Sequence, residues 1–385
     1  MSHDINDSRM SVSKSFPVQG YVDKFVRRLR ASAATTVLVF GGGACAAPQF
    51  FSLTSAWNVQ IPSTATYSGV PAVPNFVAGL DTWDSSNTWT VPGFAATSAD
   101  PLRPLLYNSS AWYKVYTGEW ARWSNSRSVE RAILASSSNW FPYPGNVFSS
   151  TSTSSWVLPA SYNKTINPGN GPASFRLGAS MSPAPGPDGH RFVAQPDGRI
   201  VETYGTINLS SGQVVALSYS VTDPSSRGDG WQNGKTASML PIYAGQLYDD
   251  EIAKGITHAI AITVPAKLLA ATITYPAYAF DRDAVTAAPP FSGVIPMGGR
   301  LALPTAVAIA SLGLKTPEGW AIARAAQRFG FIVVDRGGSG ITLRVQPNAR
   351  FRDKALHSWN SPLQDDLNAI MVKVEQVQFA ITPIP

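Results

Sequence analysis

The sequence predicts an all-β fold, either a jelly roll or a β-sandwich, with one covering α-helix. Three observations favour this fold. Only 14% of the 385 residues are charged, and Gly and Pro number 31 and 30, as is typical of a β protein with many turns. Short apolar runs alternate with turn-forming residues. A chain of this length can also bury a large core, so we expect a single large β domain over residues 47–385.

The first 46 residues have the three parts of an export signal. A positive region that ends at Arg30 precedes an apolar stretch, residues 31–40, and the small residues 44–46 offer a cleavage site. We therefore predict that residues 1–46 are a signal peptide or export segment, and that the protein is secreted or periplasmic in a bacterium. The alternative is an N-terminal arm with a buried apolar end. Cys45 is the only cysteine, so no intrachain disulfide can form.

Much of the net charge lies in this export segment. The whole chain carries +6, and the first 46 residues hold six of the 30 Lys and Arg residues and three of the 24 Asp and Glu residues. The remainder therefore carries +3, which gives little support for nucleic-acid binding. No run of 18 apolar residues follows the segment, so we expect no integral membrane segment after signal removal.

Tryptophan is concentrated in residues 47–165, a part that we expect to pack on the rest of the β domain. Eight of the eleven tryptophans lie there. An exposed indole can stack on a sugar ring, because both surfaces are apolar while the sugar hydroxyls stay in water. Trp112, on a predicted strand, and Trp231, in a Gly-rich loop, are therefore candidate substrate-binding residues. The alternative for any one tryptophan is a place in the core.

Residues 190–204 read HRFVAQPDGRIVETY and predict a β-hairpin. Residues 196–198, Pro-Asp-Gly, suit a three-residue loop in which a type I turn ends at a glycine bulge. Side chains alternate between the two surfaces of a strand. In the bulged register one surface carries five side chains, namely His190, Phe192, Ile200, Glu202 and Tyr204. A two-residue loop would move His190 to the other surface.

A His, a Glu and a Tyr on one surface suggest the floor of an active site. In β-elimination of a polysaccharide, a base removes the proton next to a uronate carboxylate and an acid protonates the leaving oxygen. We assign the base to His190 and the acid to Tyr204. Glu202 and His258 would line or support the cleft, and Arg191 could approach the carboxylate from an edge.

Glycoside hydrolysis is the alternative chemistry. It needs two carboxylic acids that flank the scissile bond, and the candidate pair is Glu202 with Glu251 or with Asp335. Asp335 ends an apolar strand, where it could also bind the amides of the following loop. His258 lies at a strand end, and the alternative to a role in the site is a histidine hydrogen-bonded in the core wall.

Two further elements are predicted by their patterns. Residues 256–264, ITHAIAITV, alternate as expected of a strand with two distinct faces. Thr316 as N-cap, Pro317 in the first turn and Glu318 near the positive end of the helix dipole predict one helix, which Gly330 ends.

The sequence offers no metal site and no cofactor site. The histidines have no metal-binding spacing, no Gly-x-Ser-x-Gly nucleophile elbow occurs, and the glycine cluster at residues 337–340 lacks the Lys and helix of a phosphate-binding loop. We therefore predict no metal and no cofactor.

Five blocks carry a resemblance to a known group of proteins. They are SAWN at 55–58, DGH at 188–190, GITHA at 255–259, IPMGGRL at 295–301 and RFGFIVVD at 328–335. With these blocks the chain resembles secreted bacterial β-jelly-roll proteins of the polysaccharide lyase and glycosidase-like type. The resemblance implies a jelly roll that acts on a polysaccharide.

Three functions are open at this point. The first is degradation of a polysaccharide by β-elimination with the His190–Tyr204 pair. The second is glycoside hydrolysis with a Glu/Asp carboxylate pair. The third is a non-catalytic sugar-binding or envelope protein that uses tryptophans.

Overall fold

A computed structural model describes twelve stretches of the chain: residues 50–70, 78–80, 91–107, 141–142, 174–184, 189–209, 212–216, 218–281, 284–286, 289–338, 340–346 and 362–381. The chain from Gln49 to Pro385 forms one compact unit. The predicted export segment and most of the Trp-rich part lie outside the described stretches. No helix within them is long and apolar enough to cross a membrane.

These stretches contain eighteen strands and three α-helices. The helices are α1 (Asp249–Lys254), α2 (Pro317–Arg328) and α3 (Pro362–Met371). The strands are β1 (Thr66–Gly69), β2 (Ala78–Leu80), β3 (Gly93–Ala95), β4 (Leu102–Tyr107), β5 (Phe141–Pro142), β6 (Ser174–Arg176), β7 (Arg191–Ala194), β8 (Ile200–Tyr204), β9 (Ile207–Asn208), β10 (Val214–Val215), β11 (Ser218–Thr222), β12 (Ile260–Pro265), β13 (Leu269–Ile273), β14 (Ile295–Met297), β15 (Arg300–Ala302), β16 (Phe331–Gly337), β17 (Ile341–Leu343) and β18 (Glu375–Gln378).

The largest sheet has seven strands in the order β1-β18-β15-β16-β12-β17-β2. β12 pairs in parallel with β16 near its centre, and β17 pairs in parallel with β2 at one edge. The other neighbours are antiparallel. Parallel neighbours need a long crossover, usually with a helix, and the chain between β12 and β16 includes α2.

Helices α2 and α3 pack against one face of this sheet. Ile260 and Ile262 of β12 join one buried cluster with Ile322 of α2 and with Leu367 and Ile370 of α3. The alternation predicted for residues 256–264 is therefore confirmed from Ile260 onward. The strand begins only at Ile260, so His258 precedes it. The apolar residues of α3 recur at helical spacing, so its sequence already contained the signal for a helix.

The helix predicted after Thr316 is confirmed as α2. The Thr316 hydroxyl accepts a hydrogen bond from the Gly319 amide at 2.9 Å, as an N-cap does. The prediction of only one covering helix is wrong, because α3 packs beside α2 on the same core.

The opposite face of the large sheet is also buried. Ala261 of β12 and Val334 of β16 pack in a second cluster with Trp57 and Tyr243 from loops and with Phe192 of β7. Trp57, the tryptophan of the SAWN block, is 1% exposed and donates from Nε1 to the Gly228 carbonyl at 2.8 Å. It is a core residue.

Two smaller sheets face each other beside this second cluster. One has the order β11-β8-β7-β3, and the other has the order β5-β4-β10-β9 with β6 on β4. Val193 and Val201 of the first pack with Leu105, Phe175 and Val214 of the second. Strands β13 and β14 form a separate parallel pair.

The fold is therefore rich in β-sheet, as predicted. Neither a jelly roll nor a β-sandwich is confirmed, because the large sheet has parallel neighbours near its centre and two helices against one face. Sequence alternation predicts strands correctly, but the direction of pairing depends on the connections.

Asp366 of α3 should be essential for stability. Its carboxylate accepts from the amides of Lys315 and Thr316, both at 2.8 Å, and from the Thr316 hydroxyl at 2.6 Å. We expect Asp366→Ala to lower the free energy of unfolding by about 3 kcal/mol, because three donors lose their acceptor. Urea unfolding would measure this effect.

Asp365→Ala is the matched control: Asp365 is exposed and pairs with Lys315, so a change within about 0.5 kcal/mol is expected. Equal effects of the two substitutions would contradict the assignment.

Candidate functional site

The hairpin of β7 and β8 has the predicted bulged turn. The Gly198 amide donates to the Gln195 carbonyl at 2.9 Å, and the Gln195 amide donates to the Arg199 carbonyl at 2.7 Å. Gly198 has φ of 88°, which is the left-handed position that the bulge requires. Phe192 therefore pairs with Glu202, and the register prediction is confirmed.

The predicted acid and base lie next to each other. The rings of His190 and Tyr204 have centroids 5.0 Å apart, as expected from the register. The surface that they share is packed, however. Phe192, Ile200 and Glu202 are 7%, 1% and 0% exposed, so the prediction of an open cleft floor is wrong. This surface covers the second core cluster, which the sequence pattern alone could not place.

Glu202 lies in a closed set of hydrogen bonds. Oε2 accepts from the backbone amides of Lys235 and Ile242, both at 2.9 Å, and Oε1 accepts from the Thr222 hydroxyl at 2.9 Å. Burial raises the pKa of Glu202, and the two amides and the charge of Lys235 oppose that shift. The carboxylate thereby joins β8 to the loop that follows β11.

Glu251 in the first turn of α1 forms an ion pair with His258, which precedes β12. Nε2 of His258 is 2.8 Å from Oε1 of Glu251, and Nδ1 is 2.8 Å from the Ala259 carbonyl. Both partners are acceptors, so a protonated imidazole can donate to both of them from its two ring nitrogens. Burial lowers the pKa of His258, but Glu251 and the two hydrogen bonds outweigh burial and leave this pKa raised.

Asp335 binds both a loop and an arginine. Oδ2 accepts from Arg344 Nη2 at 3.1 Å and from the Ala237 amide at 3.4 Å, and Oδ1 accepts from the Arg336 amide at 2.9 Å. Burial raises the pKa of Asp335, and Arg344 opposes that shift. The alternative expected Asp335 to bind amides of the loop that follows it. The amides that it binds belong instead to Arg336 of its own strand and to Ala237 of a distant loop, and it also forms an ion pair with Arg344.

The three predicted carboxylates each have their own partners. Glu202 binds the loop after β11, Glu251 binds His258, and Asp335 binds Arg344. No hydrogen bond joins two of them in the described part of the chain. Arg191, predicted to approach a substrate carboxylate, is 0% exposed.

Trp231 is the exposed aromatic residue of this region. It is 59% exposed and lies in a 3₁₀ turn, Gly230–Gln232, whose N-cap Asp229 accepts from the Trp231 amide at 3.2 Å. Its ring contacts Tyr278 edge-on, with centroids 6.0 Å apart. Trp112, the other candidate sugar platform, lies outside the described residues.

The turn that carries Trp231 is tied to the segment that carries Tyr278, and that segment is tied in turn to Ser238. The Gly230 amide donates to the Pro276 carbonyl at 2.9 Å, and the Tyr278 amide donates to the Ser238 carbonyl at 3.0 Å. A Cβ atom at Gly230 would lie 2.9 Å from the Tyr278 nitrogen, so the close approach requires glycine. The sequence indicated the turn, but Tyr278 was missed because its contact with Trp231 arises only from the fold.

No group of three or more His, Cys, Asp and Glu side chains suited to a metal ion occurs in the described stretches. Comparison with known proteins gives no match to a family model, a curated protein or a solved structure. The function must therefore be inferred from the geometry of the chain itself.

Replacement of Glu202 should separate a structural role from a catalytic one. Glu202→Ala leaves two buried amides and a hydroxyl without their acceptor, so we expect a loss of about 3 kcal/mol or more in the free energy of unfolding. Glu202→Gln keeps an acceptor oxygen and should lose less than half of that amount. Asp197→Ala, in the exposed turn of the same hairpin, is the control and should change stability by about 0.5 kcal/mol or less. Urea unfolding measures all three, and a Glu202→Ala variant as stable as the control would contradict the structural role.

The His258–Glu251 pair should make stability depend on pH. Because the pKa of folded His258 is raised, its contribution is fully present below its unfolded pKa of about 6.5 and is lost as pH rises through the folded pKa. His258→Gln should remove this component. The measurement is the difference in unfolding free energy between the two proteins from pH 5 to 9. If the stability advantage of the wild type over His258→Gln stays constant or grows with rising pH, the predicted pH dependence is wrong.

Proposed function

We propose that this protein binds a polysaccharide, with Trp231 and Tyr278 as the platform for a sugar ring. The observation that carries the proposal is the exposed indole of Trp231 on a turn held in place by hydrogen bonds. Among the large hydrophobic side chains exposed in the described stretches, Trp231 is the aromatic one. An indole in water gains free energy when an apolar ligand surface covers it.

The surroundings of Trp231 suit a sugar. The loop that leads into the turn carries Asp223, Arg227 and Asp229, and the turn itself carries Gln232. Gln232 accepts from the Asp223 amide at 2.5 Å, and Arg227 pairs with Asp229 at 3.3 Å. An apolar platform with a polar rim matches a pyranose, which has an apolar C–H face and hydroxyls around its edge.

A fixed platform also reduces the cost of binding. Asp229 caps the turn, and the Asn233 amide closes it by donating to the Gly230 carbonyl at 3.0 Å. Less conformational freedom is then lost when the ligand binds.

Binding without cleavage fits the burial of the predicted catalytic groups. Glu202 is enclosed, and the surface that it shares with His190 and Tyr204 is packed. β-Elimination and hydrolysis stay predictions that depend on those groups, whereas binding at Trp231 requires none of them. A ligand outside the cell is consistent with the proposed export segment, residues 1–46.

Trp231→Ala should weaken binding to the retained polysaccharide about tenfold or more, which corresponds to about 1.4 kcal/mol. Affinity electrophoresis against a panel of acidic and neutral polysaccharides measures this. Val285→Ala is the matched control, since Val285 is 71% exposed and belongs to a different surface loop. The same samples should show no new reducing ends and no ultraviolet absorbance of unsaturated uronates. Unchanged retention of Trp231→Ala would refute the platform, and cleavage products would favour an enzyme.

A further inference from the structure

Arg191 lies on the face of the β7–β8 hairpin opposite to that of Glu202, and its side chain is buried there. It pairs with Thr203 of β8, which pairs in turn with Tyr219 of β11. The three side chains therefore form one row across three strands. They are 0%, 0% and 1% exposed. Polar groups buried in this way are costly unless they are hydrogen-bonded.

Only one end of the Arg191 guanidinium is anchored. Nη1 donates to the Met181 carbonyl at 2.7 Å and to Oδ1 of Asn208 at 2.8 Å. Nε and Nη2 have no hydrogen-bond partner among the described residues, nor does the Thr203 hydroxyl. Nε–H and Nη2–H lie on the same side of the planar group. They form an edge that can bind a carboxylate through two parallel hydrogen bonds.

The charge of Arg191 has no described counter-charge. Burial lowers its pKa to about 9, with no acidic group opposing the shift, so the guanidinium is still mainly charged at neutral pH. A buried charge without a partner is strongly destabilising, because the lost hydration is not replaced. An anion bound to the Nε–Nη2 edge would replace the lost hydration.

A cleft of about 260 Å³ opens on the same surface of the hairpin. Val201, which alternates onto the surface of Arg191, lines it together with Gln195, Arg199 and Phe175. The Phe175 ring also lies 5.5 Å from the guanidinium carbon of Arg191. Phe175 therefore borders both the cleft and Arg191, whereas neither Arg191 nor Thr203 lines the cleft.

We propose that the Nε–Nη2 edge of Arg191 and the Thr203 hydroxyl bind the carboxylate of a small organic anion, which reaches them from this cleft past the Phe175 ring. A uronic acid unit and a free carboxylic acid both carry that group. The site lies on the opposite surface of the hairpin from Glu202 and includes no residue of the Trp231 platform. It is thus independent of the proposed function.

The test is the thermal unfolding midpoint of the full chain, titrated with D-glucuronate and with acetate. Glucose controls for the sugar ring, and sodium chloride controls for ionic strength. We expect a saturable rise of about 2–4 °C with a carboxylate and no such rise with glucose or chloride. A response to glucuronate only assigns the site to sugar acids, and a response to acetate only assigns it to small free acids. A response to both compounds assigns the site to carboxylates in general.

Arg191→Met removes the charge at similar volume and should abolish the rise. The substitution leaves the Met181 carbonyl and Asn208 Oδ1 without a donor, but it also removes a buried charge that has no counter-charge, so we expect this variant to fold. Trp231→Ala should keep the full rise, which separates this site from the polysaccharide platform. The proposal is overturned if neither carboxylate shifts the wild-type midpoint, or if Arg191→Met responds as the wild type does.

Thr203→Val provides a test that does not alter Arg191. It replaces the hydroxyl by a methyl group of similar size, so the half-saturating carboxylate concentration should rise about tenfold, the loss of one hydrogen bond to a charged group. An unchanged half-saturating concentration would overturn the role of Thr203, and with it the site as proposed.

Discussion

Burial of both faces of the β12–β16 strand pair is the constraint on which the rest of the structure depends. The two strands run in parallel, and their side chains alternate between the core under α2 and α3 and the core that contains Trp57 and Tyr243. A strand buried on both faces must be covered by other elements on each side. The helices cover one face. Loops and the β7–β8 hairpin cover the other, and this places the hairpin surface with Glu202 inside the protein.

Glu202 shows the consequence of that constraint for function. A carboxylate on a hairpin is a reasonable candidate for acid–base chemistry if the surface faces water. Here the surface faces a core, and the loop after β11 supplies amides to the carboxylate. Its hydrogen bonds then serve to join two elements. The same loop continues to the turn of Trp231, so the groups that secure the fold and the exposed aromatic residue lie on one segment of the chain.

Two surfaces of the protein therefore differ in what they offer a ligand. The Trp231 turn presents an apolar ring to solvent on a backbone held by hydrogen bonds, which suits a flat, weakly hydrated sugar face. The reverse surface of the hairpin keeps a guanidinium edge away from water, which suits a small anion bound through directed hydrogen bonds. Neither surface uses the His190–Tyr204 pair, although the register brings those two rings together.

The sequence by itself determined the local features whose causes are local. Pro196, Asp197 and Gly198 require a bulged turn and hence the hairpin register, and Thr316 and Pro317 start a helix. The strand at β12 follows from its alternation. The tertiary structure decided which surface of each element faces solvent, because that depends on segments far away in the chain. It buried Glu202 and Arg191, left Trp231 exposed beside Tyr278, and added α3 to the core. Alternation reveals that a strand has two faces, but only packing decides which face meets water.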